Sequence, residues 1–589
     1  PRLCRDWSSD VCSSDLFSII GFLVLMGIIA GAAKLVQPQP VSVAENSILH
    51  LRLNTEIVDR GTENPADAFD FTTFTPTQAL GLNDLLHNIR KAREDVNIKG
   101  IFLDLSIIPA GWATLSEIRT QLLDFRESGK FIIAYGEIMD QRAYYIASVS
   151  DKIFIAPEGI IDFRGLNAEV SFFSNLFEKI GVEPQLIRHG QYKSAAEPLI
   201  REDLSAENRQ QISQYINSFW NSVVSDISAS RQIEASELNT IADQFLTRTP
   251  EMALEKRIID GIKFRDEVNE YILGRLGLTK DDEINLVTFA KYRRAPLPES
   301  MLPQRGQGKI AVIYGSGNMV VGEGTENNMG ADRIAAAIQE ARKDTNIRAI
   351  VLRLNSGGGA SLAGEVILRE AKLAAQAKPL VVSMGDFAAS GAYYISAHAT
   401  EIIANPKTLT GSIGVFAMVP NMENMFNDKL GITFDNVKTN EMADFGSVSR
   451  PLTIAEEQIL QQLVDRVYSV FINHVAEGRE LSVSFVDSIA QGQVWSGVDA
   501  KRLGLVDSFG GLNYAIERAA QLAEVETYRI VEFPVRKDFF ERFVESMEMM
   551  ETRFMQAKLG ETWRIYQQVQ SVGEYTGIQM RMSYDIAIE

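Results

Sequence analysis

Cysteine is nearly absent from this 589-residue sequence, and its two cysteines, Cys4 and Cys12, both stand close to the first residue. The rest of the chain therefore has no disulfide framework and no thiolate metal site. Histidine is also scarce, with five in the whole chain. The H-E-x-x-H zinc motif, the G-x-S-x-G nucleophile elbow and the G-x-x-x-x-G-K-[ST] phosphate loop are all missing. These absences weigh against zinc peptidases, elbow-type hydrolases and P-loop enzymes.

Basic residues are fewer than acidic ones, and the formal net charge is -19. Phosphate binding needs a basic face, so this balance argues against nucleic acid as a partner. With 46% apolar and 23% charged residues the composition is ordinary for a folded protein. A chain of this length exceeds one hydrophobic core, and about two to four domains are expected.

Long uncharged stretches are rare, and the one near the start of the chain indicates a membrane anchor. Residues 1–16 begin without Met and contain Ser-Ser-Asp twice, so we expect a non-native leader. The run Leu16–Ala33 carries no internal charge and is just long enough to cross a bilayer, which takes roughly 20 apolar residues. A cleaved signal peptide is the alternative, although its apolar core is usually shorter. We predict an uncleaved transmembrane anchor over 17–36.

An internal repeat organises the rest of the chain. Ala92–Leu105 matches Ala341–Leu354 at an offset of 249 residues (341 − 92), and the same offset places Ala143–Ile146 on Ala392–Ile395. Self-similarity at a fixed offset indicates tandem copies of one domain. We predict a first repeat over 47–295, a second over 305–535, and a linker rich in proline and glycine over 293–308.

Each copy alternates β-rich apolar runs with helical patterns, which predicts an α/β fold with a parallel, buried sheet. In the second copy the predicted strands cover 310–314, 349–354 and 380–384, and apolar residues at helical spacing predict crossover helices between them. Beyond Val535 the sequence becomes rich in Met and alternating charge. We predict a helical tail over 536–589, with an amphipathic helix at 539–559 that packs on its own domain or on a neighbouring subunit. A membrane role for this helix is the alternative.

Positions where the copies differ indicate where function is divided between them. After corresponding strands, the second copy has Asn355-Ser-Gly-Gly-Gly359 and the first has Ser106–Ala110. Adjacent glycines let backbone N–H groups turn toward a cavity, as an oxyanion site requires. A flexible turn is the alternative.

A second difference singles out Ser390, because the first copy has Gln141 at the corresponding position. Ser390 and Gly391 stand at the predicted start of a helix, where unpaired N–H groups and the helix dipole favour a developing anion. Ser390 is therefore a candidate nucleophile. A helix N-cap serine is the alternative.

A third difference singles out Lys193, which follows a predicted strand at 185–187 and precedes the small residues 194–196; the second copy has Ala443 near that position. Burial favours the neutral amine, which can take a proton from a serine hydroxyl. A solvated loop lysine is the alternative.

These signals complement each other, because the first copy supplies Lys193 without the serine and the second supplies Ser390 without the lysine. We predict one Ser/Lys site at the junction of the copies, so neither half alone should be active. His398 stands eight residues beyond Ser390 on the same predicted helix. At 1.5 Å per residue this is roughly 12 Å, too far for it to act as the base.

The chain resembles the long form of the bacterial signal peptide peptidase A family. The resemblance covers about residues 17–535 and rests on Gly190–Ala195, on Gly385–Gly391, on the Asn-Ser-x-Gly-Gly turn and on the tandem copies behind an anchor. The family's turn usually has Pro before two glycines and Ser after them, where this chain has Gly357 and Ala360. The resemblance implies two tandem Clp protease/crotonase-like domains that assemble into an oligomer, a tetramer in that family.

The resemblance also implies a role for each site residue. Ser390 would be the nucleophile and Lys193 the general base, and Ser412, within Thr410–Gly414, would hold the lysine. Backbone N–H groups of Gly358 or Gly359 and of Gly391 would form the oxyanion hole. No metal and no cofactor is expected.

We therefore predict a single-pass membrane-bound serine endopeptidase that degrades cleaved signal peptides and other hydrophobic peptides. Its catalytic domains would face the periplasmic side of the bacterial cytoplasmic membrane. One alternative is a crotonase-type acyl-CoA enzyme, which needs acidic catalytic residues and a CoA pocket in soluble surroundings. The other is a catalytically inactive membrane scaffold, which activity alone distinguishes.

Overall fold

The computed structural model describes residues 41–61, 69–70, 75–76, 79–302, 308–536, 577–582 and 587–588. The predicted leader, the predicted anchor and the predicted helix at 539–559 lie outside these residues. Within the described ranges no helix combines the length and the apolar character needed to cross a membrane.

The first copy alternates strands and helices along the chain. Its strands are Ser47–Arg52 (β1), Ile57–Val58 (β2), Phe69–Asp70 (β3), Thr75–Pro76 (β4), Leu80–Gly81 (β5), Ile98–Leu105 (β6), Phe131–Met139 (β7), Lys152–Ile161 (β8), Ala168–Glu169 (β9), Glu183–His189 (β10), Gly261–Ile262 (β11) and Leu286–Thr288 (β12). Its helices are Leu82–Glu94 (α1), Trp112–Glu127 (α2), Gln141–Ala147 (α3), Ser174–Ile180 (α4), Glu197–Ile200 (α5), Ala206–Arg231 (α6), Ala235–Asp243 (α7), Pro250–Glu255 (α8), Arg265–Arg275 (α9) and Phe289–Tyr292 (α10).

The second copy and the tail follow the same alternation. Their strands are Gly308–Ser316 (β13), Met319–Val320 (β14), Met329–Gly330 (β15), Ile347–Ser356 (β16), Gly358–Ala360 (β17), Leu380–Ala389 (β18), Glu401–Ala404 (β19), Leu409–Gly411 (β20), Val415–Asn421 (β21), Val494–Ser496 (β22), Ser508–Phe509 (β23), Tyr528–Phe533 (β24), Ile578–Arg581 (β25) and Ala587–Ile588 (β26). Their helices are Ala331–Lys343 (α11), Ser361–Ala377 (α12), Gly391–Ser396 (α13), Ile454–Arg479 (α14), Val483–Ile489 (α15), Gly497–Arg502 (α16) and Leu512–Leu522 (α17).

Each copy contains a parallel sheet, which confirms the predicted α/β class. The first sheet has the order β11-β8-β7-β6-β1-β12, and the paired strands run parallel throughout. The second has the order β22-β20-β18-β16-β13-β24, with only the β20–β22 pair antiparallel among these neighbours. Strand β16 is buried almost throughout, as expected for a parallel strand covered on both faces.

The 249-residue offset read from the sequence recurs in the elements themselves. Helix α11 begins and ends 249 residues after α1. Both are helical for the same reason, because their apolar residues recur at spacings of three and four and form one stripe on the sheet. In α11 this buried stripe contains Ala331, Ile334, Ile338 and Ala341.

A buried ion cluster and a shared core join the two copies. Arg353 of β16 is fully buried and pairs with Asp59 at 2.7 Å and with Glu117 at 2.8 Å, both in the first copy. Asp386 accepts hydrogen bonds from the backbone N–H groups of Ala113 and Thr114, at the start of α2. One apolar cluster includes side chains from both copies. The copies therefore pack as one body along this face.

A third sheet lies beside the carboxyl end of β18 and has the order β10-β21-β25-β17-β14-β15. It combines β10 of the first copy with strands of the second copy and with β25 of the tail. The prediction that the tail is helical is therefore wrong for residues 578–581 and 587–588, which form β25 and β26. Both segments pair with strands far away in the sequence, and such pairing leaves no local periodicity to detect.

Candidate active site

Ser390 lies between the end of β18 and the start of α13, in a strained backbone conformation. Its φ of 54° belongs to the left-handed region that non-glycine residues rarely adopt. Such a conformation costs about 1–3 kcal/mol and persists only when its surroundings impose it. Here the Ser390 N–H donates to the Gly411 carbonyl oxygen at 2.8 Å, and the residue is fully buried.

Lys193 lies in the loop after β10 and reaches across the junction of the copies. Its Nζ lies 2.8 Å from Ser390 Oγ, 3.0 Å from the Ser412 carbonyl oxygen and 3.1 Å from Ser412 Oγ. The structure thus brings together the lysine of the first copy and the two serines of the second. The comparison of the copies predicted Lys193 and Ser390 for the site, and the family resemblance implied Ser412.

The electrostatic environment of Lys193 disfavours its charged form. The residue is 1% exposed, and burial lowers the pKa of its amine well below the ordinary value. Among the residues that the structure describes, no carboxylate forms an ion pair with it that would offset this effect. A neutral amine at this position can accept a proton.

The Lys193 loop is held against a backbone segment of the second copy. Tyr192 N–H donates to the Gln491 carbonyl oxygen at 2.9 Å. A Cβ atom at Gly492 would lie 2.6 Å from the backbone nitrogen of Lys193, and one at Gly414 would lie 3.1 Å from its Cδ. Only glycine permits this approach, so Gly492 and Gly414 help to set the position of the amine.

Sequence reasoning missed a buried polar network behind the lysine. Gln211 of α6 donates through Nε2 to Ser194 Oγ at 3.0 Å and to the Tyr192 carbonyl oxygen at 3.2 Å, and its Oε1 accepts from the Val494 N–H at 3.1 Å. Gln211 therefore connects the lysine loop to β22 of the second copy. A glutamine on a long amphipathic helix gives no signal for this role in the sequence.

Ser412 is as strained as Ser390, with a φ of 47°. Its N–H donates to the Gln493 carbonyl oxygen at 2.7 Å, and the residue is fully buried. Both of its oxygens face the Lys193 amine at the distances given above, so Ser412 orients that amine.

The predicted oxyanion glycines lie beside Ser390, but their amides are not equivalent. The Gly358 N–H donates to Ser356 Oγ at 3.1 Å, and Gly358 has a φ of 95°. This leaves the N–H groups of Gly359 and Gly391 as the donors available to a reacting carbonyl. A Cβ atom at Gly358 would lie 2.6 Å from the Gly391 nitrogen, so the two loops are in contact.

His398, which the sequence placed too far from Ser390 to act as its base, contacts a second histidine. His398 Nε2 lies 3.2 Å from His474 Nδ1. Together with Glu477 these residues form a group within the described ranges that could surround a metal ion, with ligand atoms within 4.8 Å of one another. Glu477, however, already accepts a hydrogen bond from Lys372 at 3.2 Å. The group is separate from Ser390 and Lys193.

The arrangement is a buried hydroxyl whose hydrogen-bond partner is a lysine amine with a pKa lowered by burial, and two backbone amides lie nearby. Such a group can attack a carbonyl carbon while the amine takes the proton and the amides stabilise the oxyanion. Acyl transfer is the chemistry that this geometry supports.

The protein-family model described as Peptidase family S49 matches the chain twice, over residues 124–273 and 372–526. The double match bears out the internal repeat. The chain is similar to "Protease 4" of Salmonella typhi, with 36% identity over 480 residues, which cover 80% of this chain and 76% of that protein. It is similar to "Serine protease SPPA, chloroplastic" of Arabidopsis thaliana, with 32% identity over 76% of this chain and 66% of that protein. "Protease 4" of Haemophilus influenzae shares 36% identity over 74% of this chain and 72% of that protein.

Proposed function

The chain belongs to peptidase family S49 and is a serine peptidase, and we propose that it cleaves hydrophobic peptides with Ser390 as nucleophile and Lys193 as general base. The observation that carries this proposal is the 2.8 Å contact between Lys193 Nζ and Ser390 Oγ, where the amine is buried and has no acidic partner among the described residues.

The proposed reaction is acyl transfer in two steps. Neutral Lys193 takes the proton of the Ser390 hydroxyl as its oxygen attacks the peptide carbonyl, and the resulting ammonium donates that proton to the leaving amine. A water molecule, deprotonated by the same amine, then hydrolyses the acyl-enzyme. Ser412 accepts hydrogen bonds from the amine during both proton transfers.

The oxyanion hole that we propose consists of the N–H groups of Gly359 and Gly391. Preorganised donors of this kind stabilise the tetrahedral intermediate, and loss of one costs about 10²–10³-fold in kcat. Gly358 supports the turn, since its own N–H is occupied by Ser356.

The proposed substrates are cleaved signal peptides and other hydrophobic peptides, as the resemblance implies. The proposed location is the periplasmic side of the bacterial cytoplasmic membrane, with 17–36 as a single-pass anchor. The apolar character of Leu16–Ala33 supports the anchor. The two tandem domains are proposed to be Clp protease/crotonase-like.

We also propose that the chain forms a homo-oligomer, a tetramer by resemblance. Several large apolar side chains are exposed on the segment that follows β21: Leu430, Ile432, Phe434, Val437, Met442, Phe445 and Val448. A concentration of exposed apolar side chains in one segment is a feature of protein interfaces.

Purified, detergent-solubilised protein tests the dyad on a hydrophobic reporter peptide. Ser390→Ala and Lys193→Met should each lower the cleavage rate by at least 10³-fold, because each removes a partner in the proton transfer. Two variants serve as matched controls. Ser396→Ala removes another fully buried serine of the same region, and Lys91→Met removes another buried lysine whose pKa is lowered by burial. Both should keep near wild-type activity. Undiminished cleavage by either site variant would refute the dyad.

A further inference from the structure

Three side chains at one end of α14 lie close enough together to bind one metal ion. His474 and Glu477 stand near the end of α14, three residues apart and therefore on the same face of the helix. His398 follows the last residue of α13 by two positions (398 − 396) and contacts His474. The ligand atoms that face one another are His398 Nε2, His474 Nδ1 and Glu477 Oε2.

The separations of these three atoms match those of the ligands around a zinc ion. The two nitrogens are 3.2 Å apart, and each of them lies 3.7 Å from Glu477 Oε2. The circumscribed radius of a triangle with these sides is about 2.1 Å, so one point lies at that distance from all three atoms. Zinc binds imidazole nitrogen at about 2.0–2.1 Å and carboxylate oxygen at about 2.0–2.2 Å. An ion therefore fits among the side chains without moving them.

Close backbone packing sets the positions of the two histidines. A Cβ atom at Gly478 would lie 2.1 Å from the Ala397 carbonyl oxygen and 3.1 Å from the backbone nitrogen of His398. Only glycine lets α14 approach the turn that carries His398 so closely. The His474 ring also packs edge-on against Tyr394 of α13, with ring centroids 5.4 Å apart. These contacts hold two of the ligands in place before an ion binds.

The histidines are largely enclosed, whereas the glutamate reaches solvent. The side chains of His398 and His474 are 11% and 22% exposed, and that of Glu477 is 65% exposed. An enclosed imidazole has little rotamer freedom left to lose when it binds an ion. The solvent side leaves room for a water molecule as a fourth ligand. Three protein ligands and one water are a common coordination for zinc.

The types of ligand identify the class of ion. Imidazole nitrogen suits zinc and the neighbouring first-row transition ions, and a carboxylate completes such a site. Mg²⁺ and Ca²⁺ instead prefer sites made of oxygen ligands. Two nitrogens and one carboxylate oxygen therefore favour Zn²⁺ over Mg²⁺ and Ca²⁺.

Lys372 of α12 competes with a metal ion at this position. Its Nζ donates to Glu477 Oε2 at 3.2 Å. Burial first, and the Lys372 ammonium second, lower the pKa of both His398 and His474. The ammonium therefore repels positive charge at the imidazoles. A carboxylate has two oxygens with about four lone-pair sites, so Glu477 can bind an ion and still accept from Lys372. The lysine should thus weaken metal binding without preventing it.

We propose that His398, His474 and Glu477 form a zinc-binding site, and that the bound ion joins the end of α14 to the turn after α13. The inference goes beyond the proposed function, because the ion takes no part in acyl transfer at Ser390. The two histidines are 76 residues apart in the chain (474 − 398), so unfolding separates them. An ion that binds only the folded chain stabilises it by mass action.

Titration of the full chain with ZnCl₂ tests the site. The protein is detergent-solubilised and freed of metal with a chelator, and every sample carries Cys4→Ser and Cys12→Ser because thiolates also bind zinc. We expect one zinc ion per chain with a dissociation constant of micromolar order or below. His398→Ala and His474→Ala should each weaken binding at least a hundredfold, and Glu477→Gln at least tenfold, because each removes one of three ligands.

His50→Ala is the matched control for the histidine variants. His50 also contacts a carboxylate, since its Nε2 lies 3.1 Å from Asp104 Oδ2. That carboxylate, however, is paired with Arg52 and Arg265, which leave it no charge for a metal ion. His50→Ala should bind zinc as tightly as the wild type.

Removal of the competing ammonium should strengthen the site. Lys372→Met should tighten zinc binding threefold to tenfold. Lys343→Met removes the same charge from α11, where the lysine donates to Gln339 instead of to a ligand, and should change the affinity less than twofold. Unchanged affinity in Lys372→Met would show that Glu477 is not a ligand and would overturn the proposed site.

Unfolding in urea provides a second measurement. Zinc should raise the urea midpoint of the wild type and leave that of the double variant His398→Ala/His474→Ala unchanged. Ser390→Ala should bind zinc as the wild type does, so the site and the peptidase are tested separately. The inference is wrong if the wild type binds no zinc or if the double variant binds it equally well. Glu477 is exposed, so Glu477→Gln should fold even if the histidine variants do not, and wild-type affinity in that variant would also overturn the inference.

Discussion

Gly492 offers a sharp test of whether the exact placement of Lys193 sets the catalytic rate. A Cβ atom at Gly492 would lie 2.6 Å from the backbone nitrogen of Lys193 and 2.7 Å from its Cα. Ordinary contact begins at 3.4 Å, so in Gly492→Ala the two backbones must separate by about 0.8 Å (3.4 − 2.6). Neither side of this contact is a flexible side chain that can turn away.

A shift of this size is large for a proton-transfer site. A misplacement of about 1 Å can cost on the order of 100-fold in rate, which corresponds to about 2.7 kcal/mol in the activation barrier. We expect kcat of Gly492→Ala on the reporter peptide to fall about 30- to 100-fold. KM should change little, because the contact of Gly492 is with the Lys193 loop.

Gly431→Ala is the matched control. Gly492 and Gly431 both have positive φ, 81° and 67°, so alanine at either site costs about 1–2 kcal/mol of backbone strain. A Cβ atom at Gly431, however, would meet no heavy atom within 4 Å. Gly431→Ala should lose only the free energy of this strain and keep its activity, whereas Gly492→Ala should lose more free energy of unfolding in urea, because its Cβ also meets backbone, and should lose activity. Wild-type kcat in folded Gly492→Ala, or an equal loss in Gly431→Ala, would refute the reasoning.

Three further predictions follow from the charges and hydrogen bonds of the structure. Only neutral Lys193 can act as base, and burial lowers its pKa. The value of kcat/KM should therefore rise with pH and level off below pH 10.5, the ordinary pKa of lysine. A value that falls from neutral to mildly alkaline pH in a stable enzyme would contradict this. Ser412→Ala removes one hydrogen bond to that amine, worth about 1 kcal/mol, so kcat should fall about fivefold to tenfold while urea unfolding stays within about 1 kcal/mol of wild type. Arg353→Met leaves Asp59 and Glu117 buried without their cation and should lower the free energy of unfolding by about 3–5 kcal/mol; a loss under about 1 kcal/mol would show that the cluster does not hold the copies together.

Features repeated in the sequence could be predicted, and features formed by distant contacts could not. The helical spacing of apolar residues predicted the crossover helix α11, and the offset of 249 residues found in the sequence recurs between α1 and α11, because each copy repeats the same apolar stripe. The pairing of Lys193 with Ser390 could also be predicted, since each copy lacks the residue that the other supplies. The structure places their reacting atoms at hydrogen-bond distance.

Gln211 and Gly492 illustrate what the sequence does not reveal. Each acts on the lysine loop through a contact with the other copy, and nothing in its local sequence indicates that contact. Strand β25 could not be predicted from the sequence for a related reason. It is four residues long and pairs with β17 and β21, more than 150 residues earlier in the chain (578 − 417 = 161).

The first copy shows how one site of a duplicated pair becomes inert. Gln141 stands where the second copy has Ser390, and its amide forms hydrogen bonds inside the first copy. Its Nε2 donates to the Gly165 carbonyl oxygen at 2.9 Å, and its Oε1 accepts from the Arg164 and Gly165 N–H groups at 3.2 Å and 2.9 Å.

These partners correspond to the part of the second copy that encloses the lysine. At the offset of 249, Gly165 falls on Gly414 (165 + 249), whose Cβ would lie 3.1 Å from Lys193 Cδ. The Gln141 amide therefore satisfies backbone groups beside the space that a second lysine would enter. Replacing Gln141 with Ser would restore a hydroxyl, but it would leave these backbone groups without their hydrogen-bond partner. The new hydroxyl would also have no amine to activate it. A single site served by both copies is the consequence, because the base of one copy reaches only the nucleophile of the other.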